Sequence, residues 1–327
     1  MDTFLQQLVN GLTAGSVYAV VALGYTMVYG IIQLINFAHG EVVMIGAMVA
    51  FTVINLLAPG GLPALAVVLI GTSAAIPVCM LVGYALERLA YRPLRHAPRL
   101  APLITAIGLS IILQHLALLV WSRNILAFPQ IIELRTFSVL GATISNVQLA
   151  IIAICVVMMA GLALLVYKTR LGTAMRATAQ NQQVAGLMGI DVNRVIAVTF
   201  VIGAALGAVA GVLFGTYYGI AQYTMGSVLG LKAFSAAVLG GIGNIPGAML
   251  GGVLLGLVEA LGAGYIGEFT DLCQYAWLAG HIDACQGGGH FILFGSNYQD
   301  VFAFLVLILV LVLRPQGLLG ERVGDRA

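Results

Sequence analysis

Apolar segments of about twenty residues recur along the chain, and short polar segments separate them. A helix needs about 20 mostly apolar residues to cross the hydrocarbon core of a membrane. Six segments have this length, and three more follow, of which the last is long enough only if it begins near Ser296. The pattern predicts an all-α, polytopic transmembrane bundle of about eight to ten spans, with one domain over residues 1–327. The segments are 8–29, 37–57, 62–86, 101–121, 147–167, 195–218, 226–239, 245–265 and 301–313.

The composition supports a membrane protein. Hydrophobic residues make up 61% of the chain and charged residues 8%, whereas soluble domains carry roughly 25% charged residues. This excludes a soluble enzyme and a disordered chain. The net charge of +2 gives no reason to expect a nucleic-acid partner. Residues 1–7 contain Asp2 and no Lys or Arg, so we expect the first helix to be retained and not cleaved as a signal peptide.

The basic residues predict the orientation in the membrane. Eleven of the 14 Lys and Arg residues lie in segments 88–99, 168–194 and 314–326, and cytoplasmic loops collect such residues. With all three segments in the cytoplasm, nine crossings place the N-terminus outside and the C-terminus inside. Segment 267–299 is then external.

Two polar interruptions are the candidates for a transport site. The first is residues 36–41, and the second is residues 239–247, where glycines, an asparagine and a proline disfavour a continuous helix. Broken helices at membrane depth line a cavity or are buried in protein, and they indicate a binding site when they occupy corresponding halves. The alternative is a plain turn at the cytoplasmic surface. Residues 18–24 weakly resemble residues 234–240, which leaves a two-fold internal repeat possible.

Few ionisable residues lie within the apolar segments: Glu41, Lys232 and Glu259, with His39 and His115 as titratable additions. A charge near the membrane centre costs about 2.5–3.5 kcal/mol, so such groups usually face a cavity or a partner. Lys232 and Glu259 could instead extend to an interface. We predict a substrate path lined by Tyr25, Asn36, Phe37, His39, Gly40, Glu41, Gly241, Gly243 and Asn244.

Glycines recur every four residues at 203, 207, 211 and 215. Small residues at this spacing allow two helices to approach closely. This face either packs within the subunit or forms a dimer contact.

Three common catalytic motifs are absent from the sequence. It contains no Gly-Lys dipeptide, and therefore no P-loop, and neither the H-E-x-x-H nor the G-x-S-x-G motif. We expect no catalytic residue, no metal and no cofactor of its own. Cys273 and Cys285 lie in the external segment and are a disulfide candidate. A zinc site with His281 and His290 is an alternative, but its spacing matches no standard site.

The segment 168–194 is a candidate coupling loop. Its later part predicts a short helix with Val184, Leu187 and Met188 on one face, a spacing suited to docking in a groove. The alternative is a helix that lies on its own membrane domain. The run Gln183-Val184-Ala185-x3-Gly189 resembles the E-A-A-x3-G loop of ABC importer permeases, although two of its three leading residues differ.

Motifs in order along the whole chain resemble the LivH-type permeases of bacterial branched-chain amino-acid ABC importers. They are Ala22-Leu23-Gly24-Tyr25-Thr26-Met27-Val28-Tyr29-Gly30, Asn36-Phe37-Ala38-His39-Gly40-Glu41, Met175-Arg176-Ala177, Leu187-Met188-Gly189-Ile190, Leu239-Gly240-Gly241-Ile242-Gly243 and Arg314-Pro315-Gln316-Gly317-Leu318-Leu319-Gly320. The resemblance implies an inner-membrane subunit with a second homologous permease, two cytoplasmic ATPase subunits that bind the ATP, and a periplasmic amino-acid-binding protein. It also implies coupling to the ATPases through Arg176, Gln183, Ala185, Leu187, Met188 and Gly189.

One segment departs from the family pattern. The chain carries an apparent external insertion of roughly 25 residues within 267–299, where the family passes quickly to its last helix. The insertion is either a solvated loop held by a disulfide or a feature that alters the docking of a binding protein.

The expected function is import of branched-chain or other hydrophobic amino acids. Alternatives are an ABC permease for another small solute such as an amide, urea or a sugar, and a proton-coupled secondary transporter that uses Glu41 or Glu259. A membrane-embedded enzyme, based on His39 with Glu41, is a further alternative.

Overall fold

The computed structural model describes residues 2–95, 97–98, 100–139, 141–271, 273, 294 and 298–320. Each of the nine predicted apolar segments forms a helix, so the predicted all-α polytopic bundle is confirmed. The helices are α1 (Asp2–Ile32), α2 (His39–Leu57), α3 (Ala64–Ala85), α4 (Leu100–Val120), α5 (Asn146–Lys168), α6 (Arg170–Gln180), α7 (Gln182–Leu187), α8 (Val192–Tyr218), α9 (Met225–Gly240), α10 (Ile245–Phe269) and α11 (Gln299–Leu313).

Seven helices in the described part of the chain are long and apolar enough to span a membrane, and α9 and α11 are shorter apolar helices. A 3₁₀ turn, Ala58–Gly60, follows α2, and a π-helical turn, Leu86–Tyr91, extends α3. The two short helices leave the number of crossings between seven and nine.

Short strands join the loops that the charge distribution predicts to be external. Strand β1 (Leu126–Ala127) pairs with β4 (Ile220–Ala221), and β2 (Thr136–Val139) pairs with β3 (Ala142–Ser145), both antiparallel. The hydrophobic pattern does not predict these strands because they are too short to show an alternation.

Side-chain caps divide the segment 168–194 into separate helices. The hydroxyl of Thr169 accepts a hydrogen bond from the Gly172 N–H at the start of α6. The carboxamide of Asn181 accepts hydrogen bonds from two N–H groups of α7, and Asp191 caps α8 in the same way. Such caps satisfy the free N–H groups of a helix start. The predicted short helix therefore begins at Gln182.

Helix α1 lies at the centre of the bundle. Of its apolar 18-residue stretch 83% is buried, whereas the corresponding share for α4 at the periphery is 11%. Its main partner is α10, which runs antiparallel to it. Both helices carry small residues every four positions, at Gly11, Gly15 and Ala19 on α1 and at Gly252, Gly256 and Ala260 on α10. A Cβ at residue 252 would lie 2.3 Å from the Cα of Ala19. The two backbones are therefore in contact, as small residues permit.

The glycine face of α8 packs within the same chain. A Cβ at Gly211 would lie 2.1 Å from the carbonyl oxygen of Val43 on α2, and one at Gly215 would lie 2.7 Å from the Phe128 ring. Gly203 faces Gly24 of α1. The structure thus favours packing within the subunit over a dimer contact for this face.

Gly252→Ala tests the α1–α10 contact. We expect it to destabilise the protein by about 1–3 kcal/mol, because added atoms in a close-packed contact force the backbones apart. The measurement is the apparent melting temperature of the purified protein in detergent, followed by size-exclusion chromatography after heating. The control is Gly161→Ala on α5, where a Cβ would meet nothing within 4 Å. Equal melting temperatures for the two variants would contradict this account of the packing.

Candidate functional site

The first predicted break lies inside the bundle. Residues 33–38 are not helical, and Gln33 takes a positive φ of 56° where α1 ends. The chain then returns toward the core, so that α2 begins with His39 beside Gly24. Gly24 lies eight residues, or roughly 12 Å of helix, before the end of α1 at Ile32. Helix α2 therefore starts within the protein and not at its surface.

Several predicted path residues converge at this start. The ring centroids of Tyr25 and His39 lie 4.9 Å apart in an edge-to-face contact. Phe234 of α9 lies 6.1 Å from Tyr25 and 5.7 Å from Phe37, again between ring centroids. A Cβ at Gly40 would lie 2.2 Å from the carbonyl oxygen of Gly226. Helices α1, α2 and α9 thus meet at an aromatic cluster with no space between α2 and α9.

Glu41 and Asn36 connect this region to outer helices. The Oε1 atom of Glu41 accepts hydrogen bonds from Ser110 Oγ at 2.9 Å and Gln114 Nε2 at 2.8 Å, both on α4. The hydroxyl of Tyr91 donates to Asn36 Oδ1 at 3.0 Å. Within the described residues, His39 Nε2 and Glu41 Oε2 are buried and have no hydrogen-bond partner. These two atoms are available to a polar ligand if the cluster opens.

The second predicted break is a tight turn between α9 and α10. Gly241 and Gly243 have φ values of 104° and 94°, a region that favours glycine. The chain end covers this turn: the N–H groups of Leu318 and Leu319 donate to the carbonyl oxygens of Leu239 and Gly240. Here the structure agrees with the alternative of a plain turn.

The nine predicted path residues therefore form two groups. The larger group lies beside Gly24 and Tyr25 of α1, and the smaller one, with Gly241, Gly243 and Asn244, lies near Gly30. The two levels on α1 differ by roughly 9 Å along the helix axis. Tyr25, Asn36, His39 and Glu41 are at most 3% exposed, so a path through the larger group is closed in this conformation.

An ion cluster, formed by Lys232, Glu259 and Asp300, joins α9, α10 and α11. The Nζ atom of Lys232 lies 2.7 Å from Glu259 Oε1 and 2.8 Å from Asp300 Oδ1. The hydroxyl of Tyr18 donates to Glu259 Oε1 at 3.3 Å and lies 3.4 Å from that of Tyr218. Lys232 and Glu259 are buried and pair with each other. Asp300 is not among the residues predicted from the sequence. It lies 41 positions after Glu259 and 68 positions after Lys232, and no local pattern links the three.

The predicted coupling residues divide between two faces. The guanidinium of Arg176 donates to the Val166 carbonyl and lies 5.8 Å from the ring centroid of Tyr167, and Ala185 is buried. Leu187 is 87% exposed and Met188 78% exposed. Gln183 and Gly189 are exposed as well. Arg176 and Ala185 thus hold the segment on its own chain, while the other four residues face outward.

Cys273 is disulfide-bonded. Cys285 lies outside the described residues, as do His281, His290 and most of segment 267–299, so the pairing of Cys273 with Cys285 stays a prediction. Cys79 and Cys155 are free thiols buried between helices.

A helix that begins inside a polytopic bundle, as α2 does here, is a feature of many membrane transport proteins. Residues 7–311 match the family model described as the permease component of branched-chain amino acid transport systems. The chain therefore belongs to this permease family.

Similar proteins cover nearly the whole chain. A high-affinity branched-chain amino acid transport system permease protein, BraD of Pseudomonas aeruginosa, is 48% identical over 97% of this chain and 96% of its own length. LivH of Salmonella typhimurium, which carries the same description, is 43% identical with the same coverage. A probable branched-chain amino acid transport permease of Methanocaldococcus jannaschii is 27% identical over 91% of this chain and 87% of its own. No solved structure matches the chain.

Lys232→Met tests the ion cluster. We expect a loss of about 3 kcal/mol or more in the free energy of unfolding, because a buried carboxylate loses its counter-ion. The double variant Lys232→Met/Glu259→Gln should recover part of this loss, since it removes the charge left behind. Equilibrium unfolding in mixed micelles measures the free energy of unfolding of both variants.

The control is Lys168→Met at the exposed end of α5, which should change the free energy of unfolding by less than about 0.5 kcal/mol. A double variant that is less stable than Lys232→Met would show that Lys232 and Glu259 do not act as a pair.

Proposed function

We propose that this protein is the membrane-spanning permease subunit of an ATP-driven (ABC) importer that carries branched-chain or other hydrophobic amino acids across the bacterial inner membrane. The observation that carries the proposal is the family match over residues 7–311. The descriptions of the relatives from Pseudomonas and Salmonella, at 48% and 43% identity from end to end, support the substrate class.

The proposed partners are two cytoplasmic ATPase subunits, a second homologous permease and a periplasmic amino-acid-binding protein. Energy is to come from the ATPases, since the sequence contains no Gly-Lys dipeptide and hence no P-loop. Selectivity is assigned mainly to the binding protein, and the permease offers the path. The distribution of Lys and Arg supports an orientation with α6, α7 and the C-terminus in the cytoplasm.

The exposed end of α7 is the proposed ATPase contact. Leu187 and Met188 are large apolar side chains that protrude at the end of α7, and the exposed Val184 lies on the same face. An apolar pair of this kind fits a groove on a partner. The hydrogen bond from Arg176 to Val166 joins α6 to α5. Movement of the ATPases would therefore reach α5 through this hydrogen bond as well as through the covalent connection between α5 and α6.

The proposed path runs along the start of α2. A zwitterion with an aliphatic side chain needs an apolar surface and a few polar groups, and Asn36, His39 and Glu41 provide the latter beside the aromatic cluster. These residues are buried here, so access requires that α2 move relative to α1 and α9. Such a movement has to open the close contact of Gly40 with Gly226 between α2 and α9.

Leu187→Ser/Met188→Ser tests the coupling. Burial of one such side chain contributes about 1.5–3 kcal/mol, so we expect ATPase docking to weaken at least about tenfold while the permease still folds. Leucine uptake by cells and co-purification of the ATPases measure this effect. Arg170→Gln, at an exposed position of α6, serves as the control. It should leave leucine uptake and co-purification of the ATPases unchanged. Wild-type uptake by the double variant would show that the ATPases dock elsewhere.

The function itself is tested with the complex isolated from native membranes in mild detergent. We expect the tagged chain to retain P-loop ATPases and a second permease. After reconstitution into liposomes, radiolabelled leucine should accumulate only with ATP and the binding protein. Leucine accumulation by this chain alone, without ATP, would instead establish a secondary transporter and overturn the proposal.

A further inference from the structure

A small pocket lies between α1, α5, α6 and the start of α10, at the end of the bundle that carries α6. Its volume is about 90 Å³. A cavity of this size is large enough to hold water or a small ligand group.

Two polar side chains and one helix end in its wall all attract a negatively charged oxygen. The Arg176 guanidinium lines the pocket and uses one nitrogen to donate to Val166. Helix α10 begins at Ile245, also in the wall. Pro246 has no N–H and the Gly247 N–H donates to Asn244 Oδ1, so this helix start contributes mainly its partial positive charge. Among the residues that the structure describes, no Asp or Glu lines the pocket.

Thr26 is the observation that points to a ligand. It lines the pocket and is 1% exposed, and its Oγ1 atom has no hydrogen-bond partner in the part of the chain that the structure describes. Other helical threonines, such as Thr13 and Thr199, donate to the carbonyl four residues earlier. A buried hydroxyl without a partner costs roughly 1–3 kcal/mol. A ligand oxygen at this position would remove that cost.

The rest of the wall is apolar and includes Met27, Ile31, Val166 and Met175. We infer that this pocket binds a small branched aliphatic amino acid by its carboxylate: Thr26, Arg176 and the start of α10 hold the carboxylate, and the apolar residues surround the side chain. The inference rests on the proposed function for the substrate class. The start of the path is a different place, because Tyr25, His39 and Glu41 do not line this pocket.

The position of the pocket links it to the proposed ATPase contact. A ligand there touches α1, α10 and α6 at once, and α6 leads directly into the proposed ATPase contact on α7. Coupling free energies are reciprocal, so any effect of occupancy on ATPase docking is matched by an equal effect of docking on occupancy. The amino acid arrives either from the path, as substrate in transit, or from the cytoplasmic pool.

The test uses the isolated transporter complex in lipid nanodiscs without its binding protein, and radiolabelled leucine as the probe. We expect saturable binding that isocaproate displaces and isocaproamide, which lacks the carboxylate, does not. Thr26→Val and Arg176→Gln should each weaken binding at least tenfold. Thr199→Val, which removes an equally buried hydroxyl on α8, should stay within twofold of the wild type. Binding by Thr26→Val equal to that of Thr199→Val, or displacement by the amide, would overturn the inference.

Liposomes distinguish the two sources of the ligand. If the site takes cytoplasmic amino acid, leucine loaded on the α6 side slows uptake by the wild type, and Thr26→Val relieves this inhibition. If it holds substrate in transit, Thr26→Val slows uptake without any loaded leucine. Leucine uptake with no saturable binding would reject the site and leave the proposed function standing. Carboxylate binding without ATP-dependent leucine uptake would reject the proposed function and leave the site.

Discussion

The direct contact of the α1 and α10 backbones is the constraint on which the rest of the bundle depends. In a membrane no hydrophobic force drives helices together, so close packing must stabilise their association. Gly15 and Gly252 lack the side-chain atoms that would separate the two helices. The pair forms a rigid centre, around which α5, α8 and α9 also pack on α1. Replacement of either face by larger residues would therefore disturb several contacts together.

In addition to apolar packing, polar bonds attach the outer helices. Helix α4 is mostly exposed and is joined to α2 through the two hydrogen bonds to Glu41. Helix α11 buries Ala303 and is joined to α9 through the pair of Asp300 with Lys232. Because hydrogen bonds and ion pairs are directional, they fix the register of the outer helices against the inner ones.

The end of the bundle that carries α6 brings the proposed ATPase contact and the proposed ligand pocket together. Arg176 both holds α6 on α5 and lines the pocket next to Thr26. The chain end covers the turn between α9 and α10, directly before the helix start that forms another wall of that pocket. A change at α7 can therefore reach the membrane helices over a short distance through packed groups.

The sequence by itself determined the nine apolar helices, the membrane environment and the start of α2 near His39, because hydrophobic period and helix-breaking residues act locally along the chain. Its motifs also indicated the family. Only the tertiary structure decided which small-residue face meets which, since Gly203 to Gly215 and the faces of α1 and α10 show the same spacing. It also decided that the nine path residues form two groups, that Arg176 points inward and that Asp300 completes an ion cluster. These outcomes depend on residues far apart in sequence, and no local pattern records which of them meet.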